Sequence, residues 1–212
     1  MRQLQEPEEE RLYERVAGIL EEARSRVART VNTAMVHAYA QGNPEAGKEK
    51  AAVCAACHGP DGNSTVPQYP ILAGQTARYL YLQLKDFKAG RRKDPLMSPM
   101  AANLSKQDMY DLAAYFSQQK PLPSTYPVNS AKVTEGKQIA DAALCPMCHL
   151  GGFSGQNEVP RVAGQHYAYI VKQLKDFRDM RRTNDAGSMT AYAKSLTDEQ
   201  IDALAQYITN LQ

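Results

Sequence analysis

The chain has 212 residues, a formal net charge of +2, 43% hydrophobic and 23% charged residues, four cysteines, four histidines and no tryptophan. So even a charge balance gives no electrostatic footprint for nucleic acid or an anionic membrane. No run is apolar enough over about 18 residues to be read as a membrane span.

In chain order, the first element is a helix. Leu12, Val16, Ile19, Leu20, Ala23, Val27 and Val31 keep helical spacing, interrupted by Glu14, Arg15, Glu21, Glu22, Arg24, Arg26 and Arg29. Residues 1–41 therefore read as an amphipathic extension whose stripe needs a partner, and self-association is the expectation. The interleaved charges are not those of the uninterrupted apolar core of a signal peptide, although Ala38-Tyr39-Ala40 has the A-x-A form of a processing site.

Cys54-Ala55-Ala56-Cys57-His58 follows, and it returns 91 residues later as Cys145-Pro146-Met147-Cys148-His149. C-x-x-C-H is the attachment signature of c-type haem. Two thiols one helical turn apart share a face and can form thioethers with two vinyl groups. The adjacent histidine can then reach the iron. Three other readings explain less. Structural zinc pairs lie closer together in sequence than Cys57 and Cys145 and do not ask for a histidine after each pair. A redox dithiol expects a βαβ pattern, and structural disulfides leave His58 and His149 unused.

The rest of the chain is a duplication. Pro70-Ile71-Leu72-Ala73-Gly74-Gln75 matches Pro160-Arg161-Val162-Ala163-Gly164-Gln165, and Gln83-Leu84-Lys85-Asp86-Phe87 matches Gln173-Leu174-Lys175-Asp176-Phe177. Arg91-Arg92 matches Arg181-Arg182. Ser105 and Thr197 each open an N-cap signature ahead of an amphipathic helix. Pro121 to Pro127 is a stiff, proline-rich connection. The expected organisation is all-α: extension 1–41, domain 42–120, linker 121–134 and domain 135–212. Domains of this size have lean cores, and a buried haem in each supplies apolar mass.

For a second axial ligand, methionine is the candidate, because a thioether favours the ferrous ion. Counting back seven residues from Leu104 and Leu196 gives Met97 and Met189, both expected in loops; Met100 aligns with Tyr192. The metal-ligating set is then His58, Met97, His149 and Met189, with two haem c as cofactors and no catalytic residue expected.

As a set, these motifs resemble the dihaem cytochromes c4 over Gly42 to Gln212. The resemblance implies two class I cytochrome c domains with their haem edges close together, in a periplasmic carrier passing electrons towards a terminal oxidase. It also implies that the carbonyls of Pro70 and Pro160 accept the second N–H of His58 and His149. Tyr79, Tyr169, Arg91, Arg92, Arg181 and Arg182 are candidates for haem propionates, with solvated surface charge the competing reading for the arginines. Separately, Leu12-Tyr13, Ala28 to Asn32 and His37-Ala38-Tyr39 resemble the start of the helical domain of a bacterial nuclease family, with no nuclease core after it. Among functions, an electron carrier competes with the haem subunit of a dehydrogenase and with a dihaem peroxidase. The last needs an iron that can lose its sixth ligand, which matched methionines argue against.

Overall fold

The computed structural model describes Val16, Gly18, Ile19, Glu22, Ala23 and residues 42–211. The chain divides into two compact units, Met1–Ala40 and Gln41–Gln212. In the first, the five described residues are helical and exposed. The rest of the amphipathic extension, its self-association and the nuclease-like segment lie outside the described residues.

The second unit is helical, and its two halves repeat one plan. In the first half α1 (Pro44–Lys50) runs into a 3₁₀ turn and α2 (Ala55–His58), followed by α3 (Ala77–Lys88), α4 (Met97–Ala102) and α5 (Lys106–Ser117). The second half has α6 (Ser130–Ala142), α7 (Cys145–Cys148), α8 (Leu150–Phe153), α9 (Tyr167–Arg178), α10 (Ser188–Ala193) and α11 (Asp198–Asn210). Among the described residues the only extended pairing is an isolated bridge between Gln156 and Val159.

The helix starts are chemically specified. The Ser105 hydroxyl accepts from the Asp108 N–H while the Asp108 carboxylate accepts from the Ser105 N–H, and Thr197 and Gln200 repeat the exchange. Asn43 and Asn129 cap α1 and α6 with their side-chain oxygens. The cap at Asn129 starts α6 inside the stretch expected as linker, so the extended connection is Pro121 to Asn129. It is strapped down: Leu122 N–H donates to Asn63 Oδ1 (2.9 Å), and Tyr126 stacks on Tyr167 with ring centres 4.6 Å apart.

Each half closes by crossing its first and last helices, α1 on α5 and α6 on α11. Glycine makes the approach possible: a Cβ at Gly47 would sit 2.8 Å from Tyr115 Cβ, and one at Gly136 would sit 2.8 Å from Tyr207 Cβ. Leu80, Tyr81, Met109, Leu112, Ala113 and Phe116 form the first core; Ile170, Leu174, Ile201, Leu204, Ala205 and Ile208 form the second. The crossings differ in polarity. In the first half, the buried Asp111 carboxylate accepts from the Asn43 N–H (2.8 Å), Gln107 Nε2 (2.9 Å) and Lys50 Nζ (2.5 Å). In the second half the N–H of the capping Asn129 donates to the Gln206 amide oxygen (2.8 Å) and Lys132 Nζ lies 4.0 Å from Asp202, while fully buried Ala203 stands in place of a buried carboxylate and Ile139 packs on the core.

Candidate haem-binding sites

In each half the C-x-x-C-H pentapeptide occupies one helical turn. The His58 N–H donates to the Cys54 carbonyl (2.9 Å), as the His149 N–H does to that of Cys145 (3.0 Å), which fixes thiols and imidazole on one short segment. No disulfide joins any of the four cysteines, which leaves each pair for thioether bonds. Burial pushes the Cys54 and Cys145 thiols above the ordinary cysteine range.

Both imidazoles are buried, 4% exposed at His58 and 8% at His149. His58 Nδ1 lies 2.8 Å from the Pro70 carbonyl oxygen and His149 Nδ1 lies 2.8 Å from that of Pro160. A carbonyl only accepts, so the ring proton sits on Nδ1 and leaves the Nε2 lone pair for a metal. Burial lowers the pKa of both histidines, against the pull of these carbonyls, and keeps the rings neutral. The carbonyls are held by a matched turn. Leu72 and Ala73 donate to the Gly62 carbonyl, and Val162 and Ala163 donate to the Phe153 carbonyl. Gly62 has φ +82°, while Phe153 adopts φ +71° at the matched position, a left-handed conformation that is costly for an aromatic residue.

The methionines sit on helices, not in loops. Met97 opens α4 and Met189 lies in the first turn of α10. The physical reason is a pair of aspartates: Asp94 Oδ1 accepts from the Leu96 and Met97 N–H groups, and Asp185 accepts from the Thr190 N–H and hydroxyl. Met97 is half-buried and Met100 is 48% exposed. Met189 packs on the same core as Cys145.

The repeated arginines split into two kinds. Exposed Arg91 pairs with the buried Asp86, and exposed Arg181 pairs with Asp176 and Asp179. Arg92 and Arg182 are buried where the two halves meet. Arg92 donates to Gln83 (2.8 Å), Gln173 (2.9 Å) and the Tyr169 hydroxyl (2.9 Å). Arg182 donates to Gln173 (2.7 Å), Gln83 (3.1 Å) and the Tyr79 hydroxyl (3.0 Å). Phe87 and Phe177 lie under the two guanidiniums. Two cations thus share neutral acceptors. Burial disfavours an ionised Tyr79, yet Arg182 and Arg92 outweigh it and hold its pKa below the tyrosine value. Gln83 and Gln173 are visible in the sequence only as matched positions of a repeat; each accepts from the arginine of its own half and from that of the other, and Asn184 donates across to Asp86.

Two neutral imidazoles with free Nε2 positions, each beside a pair of unpaired thiols, fit two covalently held haems. The cytochrome c family model matches residues 44–120 and again 133–212. Cytochrome c4 from Azotobacter vinelandii is 42% identical over 192 residues, spanning 82% of this chain and 91% of that protein. The chain belongs to the cytochrome c4 family. The solved structure of reduced recombinant cytochrome c4 from Pseudomonas stutzeri superposes with a TM-score of 0.75 at 42% identity, covering 81% of this chain and all of that one. A protein named thiosulfate dehydrogenase electron acceptor, from Thiomonas intermedia, is 37% identical over 170 residues, 75% of this chain and 78% of its own. This cytochrome is a dihaem electron carrier with c-type haems. Among the described residues no helix is long and apolar enough to cross a membrane.

Proposed function

We propose that His58 with Met97, and His149 with Met189, ligate the irons of haems attached through Cys54/Cys57 and Cys145/Cys148. The observation that carries the reading is the repeated 2.8 Å bond from histidine Nδ1 to a proline carbonyl. That bond orients each ring, selects its tautomer and raises its basicity towards a metal. The bound groups supply reversible one-electron ferric/ferrous chemistry. The polypeptide keeps both imidazoles neutral and dry, and offers a thioether in each half that favours the reduced ion. The exposure of Met100, against half-buried Met97, supports Met97. Arg92 and Arg182, with Tyr79 and Tyr169, hold haem propionates between the halves, since two buried guanidiniums bonded to neutral acceptors call for anions.

On this reading the protein works in the periplasm, where covalent haem is attached, and delivers electrons to a terminal oxidase or similar respiratory partner. It transforms no substrate itself. The likeness to an acceptor of thiosulfate dehydrogenase favours a second reading of its donor side, a carrier that takes electrons from a dehydrogenase. Met97→Ala and Met100→Ala, made separately, test the ligand set. Met97→Ala should remove about half of the weak red charge-transfer band of Met-ligated ferric haem and let the reduced protein bind carbon monoxide. Loss of that band in Met100→Ala alone would overturn the assignment.

A further inference from the structure

The residues that join the two halves end next to the histidines. The Pro70–Ile71 peptide accepts from His58 through its carbonyl, and its N–H, on Ile71, donates to Gln165 Oε1 of the opposite half at 2.8 Å. Gln165 Nε2 returns a bond to the Ile71 carbonyl at 3.0 Å, which locks the amide in register. The second half mirrors this. The Pro160–Arg161 peptide accepts from His149, and the Arg161 N–H donates to Gln75 Oε1 at 2.7 Å, while Gln75 Nε2 donates to the Arg161 carbonyl at 2.8 Å. Both glutamines are 6% exposed, so solvent competes little for these bonds. Each Oε1 also accepts the N–H of the next residue, Thr76 or His166.

We infer that Gln75 and Gln165 are positioning residues that act across the interface, each tuning the proximal histidine of the other half. A peptide group is polarisable from end to end, and hydrogen bonds in series strengthen one another. An acceptor on the peptide N–H makes its carbonyl more negative. The carbonyl then draws the histidine proton more strongly, and the imidazole becomes a better donor to iron. A better donor stabilises the ferric state. Gln75 therefore holds down the reduction potential of the second half, and Gln165 that of the first. A plain interface role would be served by contacts to any facing peptide. Here the contacted amide is, in both halves, the one whose carbonyl holds the histidine.

The inference rests on the proposed histidine ligation, so the test reads the ligands separately. In the haem-loaded full chain, Gln75→Met removes the acceptor, whereas Gln75→Glu replaces the amide with a carboxylate, a stronger, charged acceptor that no longer donates to the Arg161 carbonyl. Potentiometry of the two haems is combined with nitrogen-15 NMR of labelled histidines in the ferrous protein. Gln75→Met should raise the potential of the second haem more than the first and shift the His149 Nδ1–H resonance upfield. Gln75→Glu should move both readouts the opposite way, and Gln165→Met should transfer the effect to His58. If Met and Glu variants both shift the two haems in one direction with the His149 resonance still, the glutamines are interface contacts only and the inference is overturned. If the parent protein shows no iron-bound His58 or His149 in the same spectra, the ligand reading fails instead.

Discussion

Gly136→Ala should destabilise the second half by more than a surface change of the same size. The new Cβ would fall inside contact distance of the Ala203 carbonyl oxygen, 2.6 Å from its carbon and 2.8 Å from Tyr207 Cβ. Ordinary carbon contacts begin near about 3.5 Å, so α6 and α11 would have to part by about 1 Å. The obstacle is mainly backbone, which cannot rotate aside, so the cost belongs at the upper end of overpacking, about 3 kcal/mol. Alanine's better helix propensity returns about 1 kcal/mol, leaving about 2 kcal/mol. For a domain of this size that is a fall in melting temperature of roughly 8–16 °C. With no tryptophan in the chain, the melt is followed by haem absorbance and far-ultraviolet circular dichroism. Gly90→Ala is the control, because Gly90 (φ +70°) has nothing within 4 Å of its built Cβ and should show only the cost of left-handed strain, about 1 kcal/mol. A Gly136→Ala protein melting within about 2 °C of the parent would refute the close-crossing argument.

Asp111→Ala should destabilise the first half by about 2 kcal/mol, measured by urea unfolding, because the Asn43 N–H and Gln107 lose a buried acceptor. Acid should loosen the same crossing. The bond from Lys50, with those from Ser105, holds the Asp108 carboxyl down at about 2, and Lys50, Asn43 and Gln107 lower Asp111 against the opposing effect of its burial. Both folded-state values lie below the unfolded value near 3.8, so this stabilisation is present above that pH and is lost as pH falls towards 2. Lys50→Met should flatten that part of the pH dependence in thermal melts between pH 5 and about 2. Tyr115→Phe deletes the bond to the Pro60 carbonyl (2.9 Å) and should cost about 1 kcal/mol by the same urea assay. Cys145→Ala with Cys148→Ala should halve the haem staining of the denatured chain and leave the second half poorly folded by circular dichroism, since its core is small without the cofactor.

Much of the plan is legible in the amino-acid sequence, for reasons of range. A C-x-x-C-H motif works within one helical turn, and the capping boxes at Ser105 and Thr197 are likewise exchanges between residues three apart. The seven-residue offset from Leu104 and Leu196 singles out Met97 and Met189, but nothing local shows that aspartates three and five residues before their bonded partners wind both segments into helix. Arg91 and Arg92 are neighbours of the same type, and nothing local separates an exposed guanidinium from a buried one. Their different fates follow from which side chain faces the other half.

The amino-acid sequence alone therefore carried the local patterns: two C-x-x-C-H turns, a duplicated helical frame and one matched methionine in each half. Tertiary structure decided what couples the copies. Gln75 and Gln165 occupy equivalent places in a repeated motif, and only the docking of one half on the other carries each to the amide beside its neighbour's histidine. Local spacing encodes covalent and helical geometry, whereas a bond across an interface depends on how two separately built surfaces meet.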